Sequence, residues 1–519
     1  MTINLRRNCC WLFLTLLFTL LLPTETWAEI HYHWVQLQAG KQKNNFWLPD
    51  LSIRAIVDAQ DPCPALYDGP KRDKAKRLYT LEERAKRGEV ASTPFFKEIK
   101  LCERTISADD ALLQQWGVGY LAGDKKSSPI QLPDLRQGAM PLSQLITSGC
   151  TGCRDNKEQF CATTPPAGSK NRATALPWLL TALNQQAFSA PDNSLPPLWV
   201  HLGDMRYSGQ KEGVIDSWSS SNGKLGWKEE FFAPYATLLA QSWSVILRGN
   251  HEGCFVKNND WDNSGWNNRG EGWLYFFGSG NQECQDIAGK EHDLLAPIAF
   301  DAQVYGGSSS QPQASKQKVR LLFLDLVRTG DGRDKNPQQT QELYRLQYNH
   351  IAKQWLTPLS AEQPAWIFQH IPAYETTKKG ELDKSVFYKA LQSSDLQAEL
   401  PKVALLLSAH LHQFAWVQPS AKQPLQIIVG NGGVALSGAP GSRCAWNNKA
   451  GQSAGQSIHF GFLNIQFNVS GQETTAQYRI PLFRPAPGTL QQEWQMICTG
   501  DKNAPLRPHC QAPTTLPPC

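Results

Sequence analysis

Between residues 144 and 429 the chain repeats one arrangement, a short apolar run followed by a polar or glycine-containing turn. The runs are Gln144 to Thr147, Leu198 to Leu202, Val245 to Leu247, Val319 to Leu324, Trp366 to Phe368, Val403 to Leu407 and Gln426 to Val429. Helical stretches near Ala173 to Gln185, Glu229 to Gln241, Gln339 to Thr357 and Ser393 to Glu399 lie between several of them. Strands alternating with helices predict a layered α/β architecture. With 519 residues and 41% hydrophobic content the chain has material for a large core and is not a disordered polymer. In open α/β sheets the loops at the carboxyl ends of strands converge on one crevice, so residues more than 200 positions apart can share a site.

The flanks differ from this centre. Residues 29–64 carry short apolar stretches, notably Phe46 to Leu48 and Leu51 to Val57, that read as strands of an N-terminal β-containing region. From Lys71 to Leu113 the Leu, Glu, Lys and Ala pattern reads as helices interrupted by a strand near Phe95 to Leu101, and Gly and Pro at 117–141 mark a boundary. The expected division is an accessory region at 29–141, a main domain at 142–435, late strands of that domain at 436–485 and a Pro- and Cys-containing tail at 486–519. Gly306 to Lys318 reads as a surface loop, rich in Gly, Ser and Gln. In the late segment Leu463, Ile465, Phe467 and Val469 alternate with polar residues, and Tyr478, Ile480 and Leu482 repeat that spacing, which predicts two strands.

Arg6 and Arg7 precede an apolar run from Trp11 to Leu22, and Pro23 to Ala28 follow, which is the layout of a secretory signal with cleavage expected after Ala28. The run is shorter than the roughly 20 residues a membrane-spanning helix needs, so no retained span is expected and the mature chain is exported, periplasmic or secreted. Beyond that signal 11 of the 13 cysteines remain, an odd number. In an oxidising compartment most pair, and at least one is left as a thiol, a metal ligand or a partner for another chain. Cys254 with Cys284 and Cys498 with Cys510 are the expected pairs. The net charge is 51 minus 46, or +5, without blocks of Lys or Arg, so there is no nucleic-acid signature. Oligomeric state is not readable.

Five short blocks follow predicted strands: Cys150-Thr151-Gly152, Gly203-Asp204-Met205-Arg206-Tyr207, Gly249-Asn250-His251-Glu252, Ile367-Phe368-Gln369-His370 and Ala409-His410-Leu411-His412. Together they offer carboxylate, phenolate, amide oxygen, imidazole and thiolate, a mixture that suits transition metals rather than calcium. His410 and His412 point to the same side if extended, which favours shared coordination. Each block also has an ordinary reading: Asp204 as a turn cap, Tyr207 as a half-buried aromatic, Asn250 as a turn residue, His251 and His370 as hydrogen-bonded imidazoles. The glycines of Val429-Gly430-Asn431-Gly432-Gly433 allow tight backbone passage, and Asp325 reads as a turn or helix cap.

As a set, the blocks resemble the calcineurin-like metallophosphoesterase family, with features of purple acid phosphatases. The resemblance covers roughly 142–435 and implies a layered β-sandwich flanked by helices. It implies two transition-metal ions, with Fe, Zn or Mn possible. By position, Asp204 resembles the carboxylate that bridges both metals, Tyr207 and His412 resemble ligands of one, and Asn250, His370 and His410 resemble ligands of the other. His251 resembles the outer histidine that contacts the phosphoryl group or protonates its leaving oxygen. Glu252 is placed to orient it, and Arg154, Arg206 and Arg248 are candidate contacts to substrate oxygens. Cys150 stands where the family has an aspartate. Three readings remain open for it: a thiolate metal ligand, a disulfide partner of Cys153 or Cys161, or the mark of a degenerate site. Asp155 is a candidate replacement. The implied activity is hydrolysis of phosphoric esters by metal-activated water, on a phosphate-ester small molecule or a phosphorylated envelope component. The alternative is a catalytically degenerate protein that binds phosphate ligands or cell-envelope components.

Overall fold

The structure is a computed structural model that describes residues 28–510 apart from short segments, the longest of them at 85–95, 161–171, 208–216, 254–268, 280–294, 328–336 and 435–444. The expected signal segment up to residue 27 and the pair Cys254 and Cys284 lie outside the described residues.

Two mixed sheets face each other. The larger begins at its centre with Gln144–Ser148, Leu198–His201 and Trp243–Ile246, which run parallel in that order. Leu463–Ser470 then Glu473–Ala486 extend it antiparallel on one side. The smaller sheet is built around Gln313–Leu324, Ala365–Gln369, Val403–Ser408 and Leu425–Val429, again parallel in that order. Phe414–Gln418 closes back antiparallel on Leu425–Val429.

The unbroken apolar runs are explained by burial on both faces of each sheet, since successive side chains point to opposite sides. Val200, Val245, Leu321, Phe368, Leu407 and Ile427 meet between the sheets in one shared core. Their neighbours Trp199 and Ile246 point outward, against Leu179 and Leu183 of the helix Leu176–Ala187 and Tyr235 of Ala233–Gln241. On the opposite outer face Leu322, Ile367 and Leu406 pack with Tyr344, Tyr348 and Ile351 of Pro337–Ile351 and with Phe387. The layers are therefore helix, sheet, sheet, helix.

The N-terminal strands are part of the larger sheet. Tyr32–Lys43 lies parallel to Trp243–Ile246, with Val35 opposite Trp243, and Phe46–Asp58 and Ile99–Ile106 continue outward antiparallel. Arg54, fully buried in this extension, pairs with Glu103 at 2.8 Å. It also donates to the Gly278 carbonyl at 2.9 Å, just beyond the helix Arg269–Phe276.

Three expectations need correction. Within 71–113 the described elements are mainly strands, Arg77–Thr80, Glu82–Glu83 and Ile99–Ile106, with a helix only at Ala108–Leu113. Cross-strand pairing, such as Glu83 opposite Cys102, overrides the helical propensity of this segment. The expected loop at 306–318 is also shorter, because Gln313 to Lys318 begin the strand Gln313–Leu324 and pair back onto Ile298–Gly306. Finally, the segment read as a Pro- and Cys-containing tail at 486–519 contributes strands: Thr489–Gly500 lies on Glu473–Ala486, followed by Pro508–Cys510. Cys498 and Cys510 form the expected disulfide, and Cys63 and Cys102 form a second, unanticipated one.

Candidate metal centre

Six parallel strands from both sheets deliver their carboxyl ends to one region. The loops after them carry Cys150, Asp204, Asn250 with His251, His370, His410 with His412, and the glycines at 430–433. Backbone strain is concentrated there. Cys150, Asp204 and His410 all adopt positive φ, at 52°, 59° and 59°, a region that costs non-glycine residues of the order of 1 kcal/mol or more. Each is the residue that turns its side chain inward at a strand end.

Two glycines make the central turn possible. Gly203 has φ 92°, and a side chain on it would meet the Gly249 nitrogen at 2.4 Å. A side chain on Gly249 would meet Asp204 Oδ1 at 2.1 Å. The motif glycines thus let two loops touch backbone to backbone with the aspartate between them.

Asp204 is fully buried and sits at the centre of two donor groups. On one side its Oδ2 accepts the Tyr207 hydroxyl at 2.7 Å, His412 Nε2 lies 3.1 Å from the same phenol oxygen, and Cys150 Sγ is 4.0 Å from Oδ2. On the other side His370 Nε2 is 3.3 Å from Oδ2, and Asn250 Oδ1 lies 2.9 Å from both His370 Nε2 and His410 Nδ1. His251 donates its main-chain N–H to Asp204 Oδ1 at 2.9 Å; its Nε2 is 4.0 Å from Oδ2, and its ring lies 4.3 Å from that of Tyr207. All eight residues singled out from the sequence therefore surround one point.

The electrostatics describe a site built for positive charge. Burial opposes ionisation of Asp204, but His370 and His251 outweigh it and hold its carboxyl well below the ordinary range. Burial likewise works against charging His370, yet the Asp204 carboxylate holds its pKa above the usual value. Burial and the Asp204 charge push the Cys150 thiol and the Tyr207 phenol well up.

The donor set fits a metal ion. His370 Nδ1 donates to the Leu202 carbonyl at 2.7 Å, which leaves Nε2 aimed between the oxygens of Asp204 and Asn250, the orientation of a ligating imidazole fixed by its second nitrogen. One donor atom each from Cys150, Asp204 and His370 lie within 4.8 Å of one another, and all three residues are buried.

Glu252, placed by the sequence beside His251, serves instead to hold the Asp204 loop, and the supporting part of His201 escaped the sequence reading. Both Glu252 oxygens are taken up by main-chain amides, of Asp204 at 2.9 Å, Met205 at 2.8 Å, Arg206 at 3.0 Å and Gly249 at 2.8 Å. Burial and the Asp204 charge push the Glu252 pKa to about 7. His201 accepts the Gly203 N–H at Nδ1, 3.1 Å, and its Nε2 lies 2.9 Å from Thr151 Oγ1; burial holds it neutral, with its pKa down to about 3. Its place two residues before Gly203, at the end of the strand that leads into the Asp204 turn, was the available signal. Gly432 donates to the Gly149 carbonyl at 3.1 Å, so the glycine turn braces the Cys150 loop.

Two of the arginines offered as candidate substrate contacts have carboxylate partners of their own. Arg248 is wholly buried and paired with Asp325, whose Oδ2 also accepts the Leu295 N–H at 2.7 Å. Arg206 lies 3.8 Å from the buried Glu230. Asp325 is thus a partner for a buried cation as well as a turn acceptor. Arg154, Asp155, Cys153 and Cys161 lie outside the described residues, while Cys150 is in no disulfide.

Comparison with known proteins gives one match. Residues 176–414 fit the family model described as calcineurin-like phosphoesterase, a span that contains Asp204, Tyr207, Asn250, His251, His370, His410 and His412 and begins after Cys150. No curated protein and no solved structure matches the chain.

Proposed function

We propose that this chain, which residues 176–414 make a calcineurin-like metallophosphoesterase, is an exported hydrolase of phosphoric esters that works with a dinuclear metal centre. The observation that carries this reading is the position of Asp204. Its one carboxylate is shared between the Tyr207, His412 and Cys150 group and the Asn250, His370 and His410 group, which supports a bridging role between two ions.

When bound, the ions supply Lewis acidity that activates water and neutralises phosphoryl charge. Fe, Zn or Mn suits the oxygen and nitrogen donors. The chain's own part is positioning. Glu252 and the Gly203 and Gly249 contact fix Asp204, Leu202 fixes the His370 ring, and Asn250 aligns His370 with His410. His251, held through its own main chain against Asp204, is the group available to give a proton to the leaving oxygen of the ester. Among the described residues Arg206 and Arg248 are engaged with Glu230 and Asp325, so His251 is the group that would meet substrate charge beside the bound metal.

The substrate class is a phosphate-ester small molecule or a phosphorylated envelope component. Export to the periplasm or beyond is supported by the disulfides Cys63–Cys102 and Cys498–Cys510, bonds that persist in oxidising compartments. Among the described residues no helix is long and apolar enough to cross a membrane. A phosphate-ligand-binding protein without turnover is the second reading, favoured by the replacement of an expected carboxylate by Cys150.

The deciding experiment is turnover of aryl phosphate monoesters and diesters by the metal-loaded protein, compared with Asp204→Asn. Hydrolysis lost in the variant supports the enzyme. A fully metallated wild type that cleaves neither ester class favours the binding protein.

A further inference from the structure

Cys150 is the one site residue without a counterpart in the resemblance, and its surroundings argue against both a packing role and a damaged site. A small buried apolar filler has no need of strained backbone, yet Cys150 holds φ at 52°. That conformation is enforced from both sides. Its N–H donates to the Gly203 carbonyl at 2.9 Å and its carbonyl accepts the Val434 N–H at 3.0 Å. The side chain it turns inward is a thiol, fully buried and outside any disulfide, 4.0 Å from Asp204 Oδ2. Thr151, the next residue, is anchored by its N–H on the Asp204 carbonyl at 3.0 Å and by its hydroxyl near His201. A site decaying after loss of a carboxylate has no reason to retain this support for the replacing sulfur.

Ligand atoms of one tetrahedral ion, with metal bonds of about 2.0–2.3 Å, stand roughly 3.3–3.8 Å apart. Cys150 Sγ stands 4.0 Å from Asp204 Oδ2, just above that separation, on the side of the site that also holds Tyr207 and His412. Sulfur, imidazole and carboxylate together form a softer set than the all-oxygen and nitrogen one, suited to zinc and cobalt(II) over manganese or ferric iron.

We propose that Cys150 is a thiolate ligand that makes this centre a thiophilic, zinc-class site. This rests on the metal-dependent reading above and deepens it. On binding, the thiol proton leaves to solvent and the sulfur lone pair goes to the ion.

The test is cobalt(II) titration of the purified full-length protein, followed by absorbance and by metal counting. The expected result is a near-ultraviolet sulfur-to-cobalt charge-transfer band that grows with bound cobalt and vanishes in Cys150→Ser. In a zinc-against-manganese competition, Cys150→Asp is expected to lose about tenfold or more of the preference for zinc. Cobalt bound in stoichiometric amount without the band in wild type overturns the thiolate assignment and leaves the hydrolase reading standing. No metal bound at all overturns both. The wild-type spectrum decides the matter even if a variant fails to fold.

Discussion

Glu252 accepts the main-chain N–H of Asp204 at 2.9 Å, so the loop that bears the shared carboxylate is held by a side chain from the neighbouring motif. Three further amides converge on the same carboxylate. Glu252→Gln places an NH2 group against those donors. The expected cost is about 2 kcal/mol of stability and about 10–100-fold in metal affinity. Urea unfolding and a chelator competition measure the two effects, and an unchanged metal affinity would remove Glu252 from the support of the site.

Arg248 and Asp325 join the two sheets, since one follows Trp243–Ile246 and the other follows Gln313–Leu324. Removing one partner leaves an uncompensated buried charge. Arg248→Met is expected to destabilise by about 3–5 kcal/mol, and adding Asp325→Leu is expected to recover much of that loss. Chemical denaturation of the single and double variants checks the coupling. Additive losses in the double variant would show that the pair does not act as a unit.

Acid stability has a separate origin in the N-terminal extension. Burial alone would raise the Glu103 pKa, but Arg54 and Arg84 outweigh it and hold it down to about 2, against an ordinary 4.5. Because the folded value is the lower one, the contribution is present in full above pH 4.5 and is lost as pH falls toward 2. That gap corresponds to about 3 kcal/mol. Glu103→Gln is expected to flatten the stability curve across this window. Denaturation at a series of pH values gives the comparison, and a variant that keeps the wild-type slope would assign the acid sensitivity to other carboxylates.

Metal removal is expected to lower the melting temperature, because the buried donors Asp204 and His370 are brought together only in the folded state, so an ion they would hold favours that state. Free ion at a hundredfold excess over its dissociation constant should restore about 2.7 kcal/mol. Asp204→Asn is expected to lose most of that response. Differential scanning calorimetry with and without a chelator reads it directly, and equal melting temperatures would count against a structural dependence on metal.

The central strands were legible because both faces of each sheet are buried, which leaves runs such as Val403 to Leu407 without a polar residue. The site residues were legible because each lies just beyond such a run. What failed did so through distance or exposure. Arg248 looked available for substrate because its partner Asp325 is 77 positions away and leaves no local trace. Glu82 and Glu83 are exposed residues at a sheet edge, where the pattern carries no apolar signal and pairing with Glu103 and Cys102 decides the conformation. Gln313 to Lys318 resemble a linker in composition, and only the opposing strand Ile298–Gly306 makes them extended.

Val35 opposite Trp243 has a consequence for anyone dissecting the protein. A fragment begun at residue 142 would retain the candidate metal-site motifs yet leave Trp243–Ile246 as a raw, apolar border with unsatisfied amides, inviting self-association. The same adjacency dictates timing during synthesis. The earliest strand pairs at once with Phe46–Asp58, but its other edge waits for about two hundred later residues before Trp243–Ile246 emerges, so that edge needs shielding until then.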